Sequence, residues 1–184
     1  MVGRWFVALA LSTTVCLAAA GQARAQTNDA SAGPVTWEIN KAKLPAAPVR
    51  VGETFAVEVT AHIERGWHLY SLTAIEGGPR PTRITIVAGQ GFELAGKIKA
   101  PDPTTAKDPN FGVETEFYED TVSFSVPVRV MPDVAPGKAT ATVQVRFQTC
   151  NDKNCLPPEV VKLPAVVAIV AKSPSPVSPA DAYR

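Results

Sequence analysis

Two cysteines close together near the end of the chain are the residues with the clearest capacity for chemistry. Cys150 and Cys155 flank the polar segment Asn151-Asp152-Lys153-Asn154, and Leu156-Pro157-Pro158 follows. Because Asn favours tight turns, this segment is expected to bring the two sulfur atoms to facing ends of a hairpin, within disulfide distance. A disulfide there would either staple the fold or take part in thiol–disulfide exchange.

The small size of this ring weakens the structural interpretation. A loop this short removes little entropy from the unfolded chain, worth only about 2 kcal/mol. Exchange requires an accessible sulfur, and a pair in a turn is more exposed than a pair that joins two sheets. The charges of the turn act in opposite directions on a thiolate, since Lys153 would favour it and Asp152 would oppose it. Spacing alone leaves both uses open.

A metal site and a hydrolase site are weaker alternatives. Cys150 and Cys155 together with His62 and His68 could supply four ligands, but the histidines lie about 80 residues away with no recognised spacing. No nucleophile-elbow motif accompanies the serines of the chain, so a serine hydrolase ranks lower still. We therefore predict no metal and no cofactor.

Two aromatic segments elsewhere are further candidates for a site. Gly66-Trp67-His68-Leu69-Tyr70 lies in a predicted strand, where aromatic residues more often belong to the core. Phe111 follows Pro109-Asn110 in a loop, where a large aromatic side chain is expected either to fold back on the domain or to cover something. Glu116-Phe117-Tyr118-Glu119-Asp120 comes directly after this loop.

The elements that must position these residues have the pattern of β-strands. Apolar and polar residues alternate along 54–63, 121–130 and 141–147, which places the apolar side chains on one face. Shorter candidates, separated by Gly- and Pro-containing turns, are 36–39, 68–72, 83–87, 92–97 and 160–170. Roughly seven to nine short strands of this kind predict an all-β fold, an immunoglobulin-like β-sandwich of two antiparallel sheets.

The two ends of the chain are expected to lie outside this fold. Residues 1–25 combine an early positive charge, an apolar run of about 15 residues and Ala23-Arg24-Ala25, which predicts a cleaved secretory signal too short to span a bilayer. Cys16 leaves with the signal, so the mature chain keeps an even pair of cysteines for an oxidising compartment. The predicted parts of the mature chain are a flexible segment 26–34, the sandwich 35–171 and a disordered Pro- and Ser-rich tail 172–184.

Composition and charge exclude several classes of protein. The 184 residues are 46% hydrophobic and 19% charged, which fits one domain with its own core rather than a coiled coil or a disordered chain. The formal net charge of +1 provides no electrostatic footprint for nucleic acid or an anionic membrane. We expect a soluble periplasmic protein with no nucleic-acid partner and no direct membrane insertion after signal cleavage.

Three segments, taken together and in this order, resemble the family of N-terminal periplasmic domains of the thiol:disulfide interchange protein DsbD. They are Gly66-Trp67-His68-Leu69-Tyr70, then Phe111-Gly112 with Glu116-Phe117-Tyr118-Glu119-Asp120, and finally Cys150 to Cys155 with Leu156-Pro157-Pro158-Glu159. The resemblance covers about residues 35–170, and the cysteine segment is its most specific part. It implies an immunoglobulin-like sandwich, in agreement with the strand pattern, and activity as a protein thiol:disulfide oxidoreductase.

The resemblance also implies partners and roles for single residues. The pair would take electrons from a thioredoxin-like donor supplied by a separately encoded membrane thiol reductase, and would pass them to periplasmic thioredoxin-fold partners, including those of cytochrome c maturation. Cys155 would attack the acceptor. The implied site comprises the redox pair Cys150 and Cys155, the cap residue Phe111 with Asn110 beside it, and Tyr70 and His68 lining the same surface.

The sequence departs from the family pattern at two points. Four residues separate the cysteines instead of five, which alters the turn. Pro109-Asn110 precedes the cap residue where acidic residues are usual, so any role for a carboxylate would fall to Asp108. The alternative is a non-catalytic exported binding module of the same fold, in which Cys150–Cys155 is a structural disulfide.

Overall fold

The structure is a computed structural model that describes residues 30–172, and almost all of its regular secondary structure is β. The predicted signal 1–25 and residues 173–184 of the predicted tail lie outside the described residues. The described part contains thirteen strands: β1 (Ala30–Ala32), β2 (Val35–Ile39), β3 (Val49–Arg50), β4 (Thr54–Ile63), β5 (His68–Tyr70), β6 (Arg83–Ile86), β7 (Phe92–Leu94), β8 (Thr104–Lys107), β9 (Glu114–Tyr118), β10 (Thr121–Val130), β11 (Gly137–Phe147), β12 (Thr149–Cys150) and β13 (Glu159–Val170). A single turn of 3-10 helix spans Lys41–Lys43, and none of the described helical residues could form a membrane span.

Two of the sheets form the body of the domain. The first has the strand order β1-β2-β4-β10-β7 and is antiparallel throughout. The second has the order β3-β13-β11-β6, in which only the short β3 runs parallel to its neighbour. In the long strands the inward residues are buried and the outward residues are not, as the alternating sequence predicts.

The core lies between these two sheets and is entirely apolar on its inner faces. Trp37 of β2 is fully buried, and its ring centroid lies 6.1 Å from that of Phe124 in the first sheet and 5.1 Å from that of Phe147 in the second. Valines of the same strands fill the space around these rings. The predicted all-β, immunoglobulin-like sandwich is confirmed.

A third, smaller sheet was not predicted, and its strand β12 ends at Cys150, where the cysteine hairpin begins. Its order is β12-β5-β9-β8, and β12 follows β11 after a single residue, Gln148. The expectation of two sheets and roughly seven to nine strands is therefore too low for residues 30–172. All four residues of β8 are exposed, and β3 and β12 have two residues each, so none of them produces an apolar alternation.

The paired part of the chain begins earlier than the predicted start at residue 35. Strand β1 lies within the segment 26–34 and pairs with β2 through a tight turn, in which Ala32 faces Val35. Gly33 occupies this turn at φ +57°, a conformation that favours glycine. A Cβ atom at Gly33 would lie 3.2 Å from the side chain of Leu156, so this turn packs beside the cysteine hairpin.

Candidate thiol–disulfide site

The cysteine hairpin is closed by a disulfide between Cys150 and Cys155. Their Cα atoms are 4.1 Å apart, and the two residues face each other as an isolated antiparallel bridge. Asn151 shapes the turn, since its N–H donates to the carbonyl of Asn154 at 2.9 Å. Its Oδ1 also accepts the backbone N–H groups of Lys153 at 2.9 Å and Asn154 at 2.8 Å. A side-chain acceptor at the first turn position thus holds the sulfur atoms together.

The two cysteines differ in their access to solvent. Cys150 is 0% exposed at the end of β12, whereas Cys155 is half-buried and keeps part of its surface open. Because exchange requires a thiolate to approach a sulfur atom, Cys155 offers the accessible side of this disulfide.

A strand of aromatic residues lies next to the hairpin. In the pairing of β12 with β5, Cys150 lies directly opposite His68. The buried His68 ring packs against Tyr70 at a centroid distance of 5.1 Å and against Phe117 of β9 at 4.9 Å. Because directly opposite residues of paired strands have neighbouring side chains, the buried half of the disulfide lies beside His68.

The buried carboxylate of Asp108 accepts hydrogen bonds from this aromatic strand and from residues beside it. Asp108 is 3% exposed, and its Oδ2 accepts the hydroxyl proton of Tyr70 at 2.7 Å. The hydroxyl of Thr115 lies 3.5 Å from the same oxygen, and the N–H of Asn110 donates to Oδ1 at 2.8 Å. Because the Tyr70 hydroxyl has one proton, which goes to Asp108, its oxygen accepts from Nε2 of His68 at 3.1 Å. Tyr70 is therefore bonded on both sides.

The protonation states of this network follow from burial and from these bonds. Burial tends to raise the pKa of Asp108, but the hydrogen bonds from Tyr70 and Asn110 outweigh it and hold that pKa below its usual range. Burial, followed by the bond to Asp108, raises the pKa of Tyr70, so this hydroxyl stays protonated. Burial lowers the pKa of His68 despite nearby carboxylates, of which Asp108 acts most strongly. At neutral pH the network is thus one carboxylate with neutral His68 and Tyr70.

The loop that carries Phe111 is folded around Asp108 and touches the cysteine hairpin. The carbonyl of Asp108 accepts the N–H of Gly112 at 2.8 Å, and Gly112 adopts φ +73° to complete the turn. Phe111 is half-buried, with its ring edge-on to Tyr70 at 6.1 Å. Nδ2 of Asn110 donates to the carbonyl of Asn151 at 2.9 Å, which joins this loop directly to the hairpin.

Most of the residues that the sequence singled out are brought together here. They are Cys150, Cys155, His68, Tyr70, Asn110 and Phe111, with Lys153 and Asp152 exposed in the turn. His62 is not among them, because it lies exposed on the outer face of the first sheet, with Nε2 3.2 Å from Glu38. The structure therefore does not bring the four ligands of the metal alternative together, and no group of three or more His, Cys, Asp or Glu in residues 30–172 has a metal-binding arrangement.

Sequence analysis missed part of the site. It named Asp108 only as a substitute carboxylate, and it gave no role to Thr115 or to Gln148, whose side chain binds the carbonyl of Leu156 after the hairpin. The pattern Asp108-Pro109-Asn110 was a usable signal, because an Asp side chain in a turn typically accepts the backbone N–H two residues further on.

Comparison with known proteins assigns the chain to a family. The model of the family described as "Thiol:disulfide interchange protein DsbD, N-terminal" matches residues 36–165, which is more than half of the chain. No curated protein matches it. Similar solved structures include the reduced DsbD N-terminal domain of Neisseria meningitidis, with 14% identity, a TM-score of 0.44, and coverage of 61% of this chain and 78% of that one.

A second solved structure is the N-terminal periplasmic domain of ScsB from Proteus mirabilis. It shows 16% identity and a TM-score of 0.46, and the match covers 75% of this chain and 49% of that one, so this chain spans about half of its length. The major pilin subunit BcpA of Bacillus cereus is also similar, with 12% identity, a TM-score of 0.40, and coverage of 74% of this chain and 40% of that one. The family match includes both cysteines and the loop of Phe111, and the chain belongs to the family of the N-terminal domain of the thiol:disulfide interchange protein DsbD.

Proposed function

We propose that this domain is a periplasmic thiol–disulfide exchange module that relays electrons between thioredoxin-fold proteins through Cys150 and Cys155. The observation that carries the proposal is the unequal burial of the two linked cysteines at the tip of the third sheet. A partner can reach Cys155, while Cys150 is held inside the domain as the resolving group.

The proposed exchange conserves two electrons and two protons. A thiolate of a reduced donor attacks the sulfur of Cys155, the Cys150–Cys155 bond breaks, and Cys150 leaves as a thiolate that takes up a proton. The second donor thiol then attacks the mixed disulfide and releases Cys155, so the donor is oxidised and the domain is reduced. In the reverse sense, the Cys155 thiolate attacks an acceptor disulfide and Cys150 resolves the mixed disulfide.

The loop of Phe111 is proposed to cap the pair until a partner docks. Two contacts support this role: Asn110 binds the hairpin at Asn151, and Phe111 lies edge-on against Tyr70 beside it. A half-buried aromatic side chain in a Pro-Asn-Phe-Gly loop can move away without disturbing the sandwich core.

Tyr70, His68 and Asp108 are proposed to position the pair rather than to react. The bond from Tyr70 to Asp108 and the turn at Asn110 fix the cap loop and the strand opposite Cys150 as one unit. Lys153 and Asp152 in the exposed turn are proposed to tune the thiolates in opposite directions, as their charges imply.

The proposed partners follow from the family. The donor is a thioredoxin-like module supplied by a membrane thiol reductase, and the acceptors are periplasmic thioredoxin-fold proteins such as those of cytochrome c maturation. The domain itself needs no bound cofactor for this exchange, since both electrons reside in the sulfur pair.

The decisive experiment traps the partner as a mixed disulfide. Cys150→Ala leaves the accessible Cys155 without its resolving group, so we expect it to accumulate a mixed disulfide with an oxidised thioredoxin-fold protein on non-reducing gels. The matched variant Cys155→Ala leaves only the buried Cys150 and should trap much less.

The reduction potential of the wild-type pair separates exchange from a structural disulfide. A potential between about −120 and −270 mV would fit the couples of working thioredoxin-fold proteins, whereas a value well below about −300 mV would assign the pair to a staple. A pair that resists a reduced thioredoxin and traps nothing in either variant would disprove the proposed function.

A further inference from the structure

A group of arginines beside the cysteine hairpin has no counterpart in the proposed exchange. Arg80, Arg83 and Arg146 line a surface cavity of about 420 Å³, whose other wall is the loop between β5 and β6. Glu76 belongs to the same loop but does not line this cavity. In residues 30–172 none of the three guanidinium groups forms an ion pair with a carboxylate.

Two of these arginines face each other across the sheet. In the pairing of β11 with β6, Arg146 lies directly opposite Arg83. Like charges at directly opposite positions destabilise a sheet. In the first sheet, by contrast, the arginine at a paired position has a partner of opposite charge. Arg129 lies opposite Glu93, and its guanidinium group is 3.4 Å from the carboxylate. Two neighbouring arginines at an exposed site that form no ion pair within the described part of the chain are able to bind an anion from outside it.

The surrounding face has the same sign of charge. The exposed charged residues on the outward face of β6, β11 and β13 are all basic, namely Arg83, Lys138, Arg146 and Lys162. Val160, which is 52% exposed, lies beside Arg146 in the same row. Glu159 does not neutralise this row, because its carboxylate lies against Gly33 on the other side of the strand. Arginine is enriched at protein–protein interfaces, so the arginines of this face are suited to a protein partner.

Gln148 ties this cavity to the disulfide. It lies between Arg146 and Cys150, and its Oε1 accepts the backbone N–H of Arg80 at 2.9 Å. Its Nε2 donates to the carbonyl of Leu156, the residue after Cys155, at 3.2 Å. One side chain therefore bonds both the arginine loop and the hairpin. A protein that docks on Cys155 covers about 800 Å² of surface, which is enough to reach the neighbouring cavity.

We propose that this arginine pocket, formed by Arg80, Arg83 and Arg146, binds a carboxylate side chain on the thioredoxin-fold protein that exchanges with Cys155. The proposal rests on the proposed function and adds the surface chemistry of the partner. Guanidinium groups bind carboxylates through two parallel hydrogen bonds, and an open pocket at the edge of a docking surface suits a side chain of another protein. Such a contact accelerates encounter and orients the partner over the disulfide.

The test compares charge removal inside and outside the pocket. Arg83→Gln/Arg146→Gln removes two pocket charges, and Lys41→Gln/Lys172→Gln removes two exposed charges that do not belong to this basic face, so the net charge changes equally. The rate constant for reduction of Cys150–Cys155 is measured by stopped flow with a reduced thioredoxin of net negative charge, and with dithiothreitol as a small neutral reductant. Melting temperatures of all proteins verify folding, and the pocket variant should be at least as stable as wild type because a repulsion is removed.

We expect the arginine variant to lose about tenfold in rate with thioredoxin and the lysine variant less than about twofold, with the difference shrinking between about 50 and 500 mM salt. Dithiothreitol should reduce all three proteins equally. Three results would disprove the role of the pocket without disproving the exchange function. They are an equal loss of rate in both variants, no loss in the arginine variant, and an equal loss with dithiothreitol. Saturable binding of inorganic phosphate with a Kd below about 1 mM would assign the pocket to a free anion instead. A wild-type disulfide inert to both reductants would overturn the function itself, and this inference with it.

Discussion

The sandwich and the third sheet are built on opposite principles. Between the two large sheets, fully buried aromatic rings and valines pack without ion pairs, as around Trp37, Phe124 and Phe147. In the third sheet a buried carboxylate, Asp108, is surrounded by hydrogen-bond donors from Tyr70 and Asn110. An apolar core tolerates substitutions that conserve its volume. A buried polar network stabilises the fold only when each of its polar groups has a hydrogen-bond partner. The sandwich therefore supplies stability, and the third sheet supplies the geometry of the site.

The largest effect is expected when one aromatic side chain is removed from each region and the two costs of unfolding are compared. Phe124→Ala opens the fully buried core and should cost about 3–5 kcal/mol in the free energy of unfolding, with the reduction potential unchanged. The matched variant Phe117→Ala removes a half-buried ring that packs on His68, so it should cost less and should change the exchange rate. Urea unfolding and exchange kinetics measure both effects. Equal costs of unfolding would mean that the two regions are not energetically distinct.

Removing the buried charge tests the third sheet alone. Asp108→Asn replaces one of the two carboxylate oxygens with an amide NH2 group, so either Tyr70 or Asn110 loses its acceptor, and we expect a loss of about 1–3 kcal/mol at pH 7. Because the pKa of Asp108 is lowered on folding, its contribution is fully present above about pH 3.9 and is lost as the pH falls through the lower folded value. The wild type and the variant should thus converge in acid.

Urea unfolding at a series of pH values checks this prediction. Asp152→Asn, in the exposed turn of the hairpin, is the matched control and should change stability by no more than about 0.5 kcal/mol at any pH. A stability difference for Asp108→Asn that did not shrink in acid would show that the ionised form of Asp108 is not what stabilises the site.

The smallest effect on stability, and the most specific one on chemistry, is expected at the cap loop. Phe111→Ala should leave unfolding nearly unchanged and should make the reduced pair oxidise several-fold faster in air, because access to the thiolates increases. Leu94→Ala, at a side chain that is 39% exposed on the edge of the first sheet, is the control. Equal oxidation rates in the wild type and Phe111→Ala would show that the loop does not shield the cysteines.

The parts of the fold that sequence analysis predicted are those with a buried face along a whole strand. Segments 54–63 and 121–130 coincide with β4 and β10, because every second residue of each points into the core. Strand β8 escaped prediction because all four of its residues are exposed, so its pairing with β9 has no signature in the sequence. Short exposed strands depend on neighbours that a local pattern does not identify.

The site divides in the same way. The hairpin between the cysteines could be predicted because Asn151 shapes it through bonds to residues two and three positions further on. The burial of Asp108 under Tyr70 could not, since the two residues lie 38 positions apart and a single aspartate is ordinarily exposed. The arginine pocket escaped as well, because only the register of β11 against β6 places Arg146 opposite Arg83.

The sequence alone predicts that the chain is mainly β-strand, which residues of the long strands point inward, and that a tight turn brings the two sulfur atoms together. Each of these depends on preferences that act over a few consecutive residues. Tertiary structure alone decided that one cysteine is buried and the other reachable, that a carboxylate lies beneath the aromatic strand, and that guanidinium groups gather beside the hairpin. These features depend on which strands pair and in what register, and that choice is made by the packing of the whole domain.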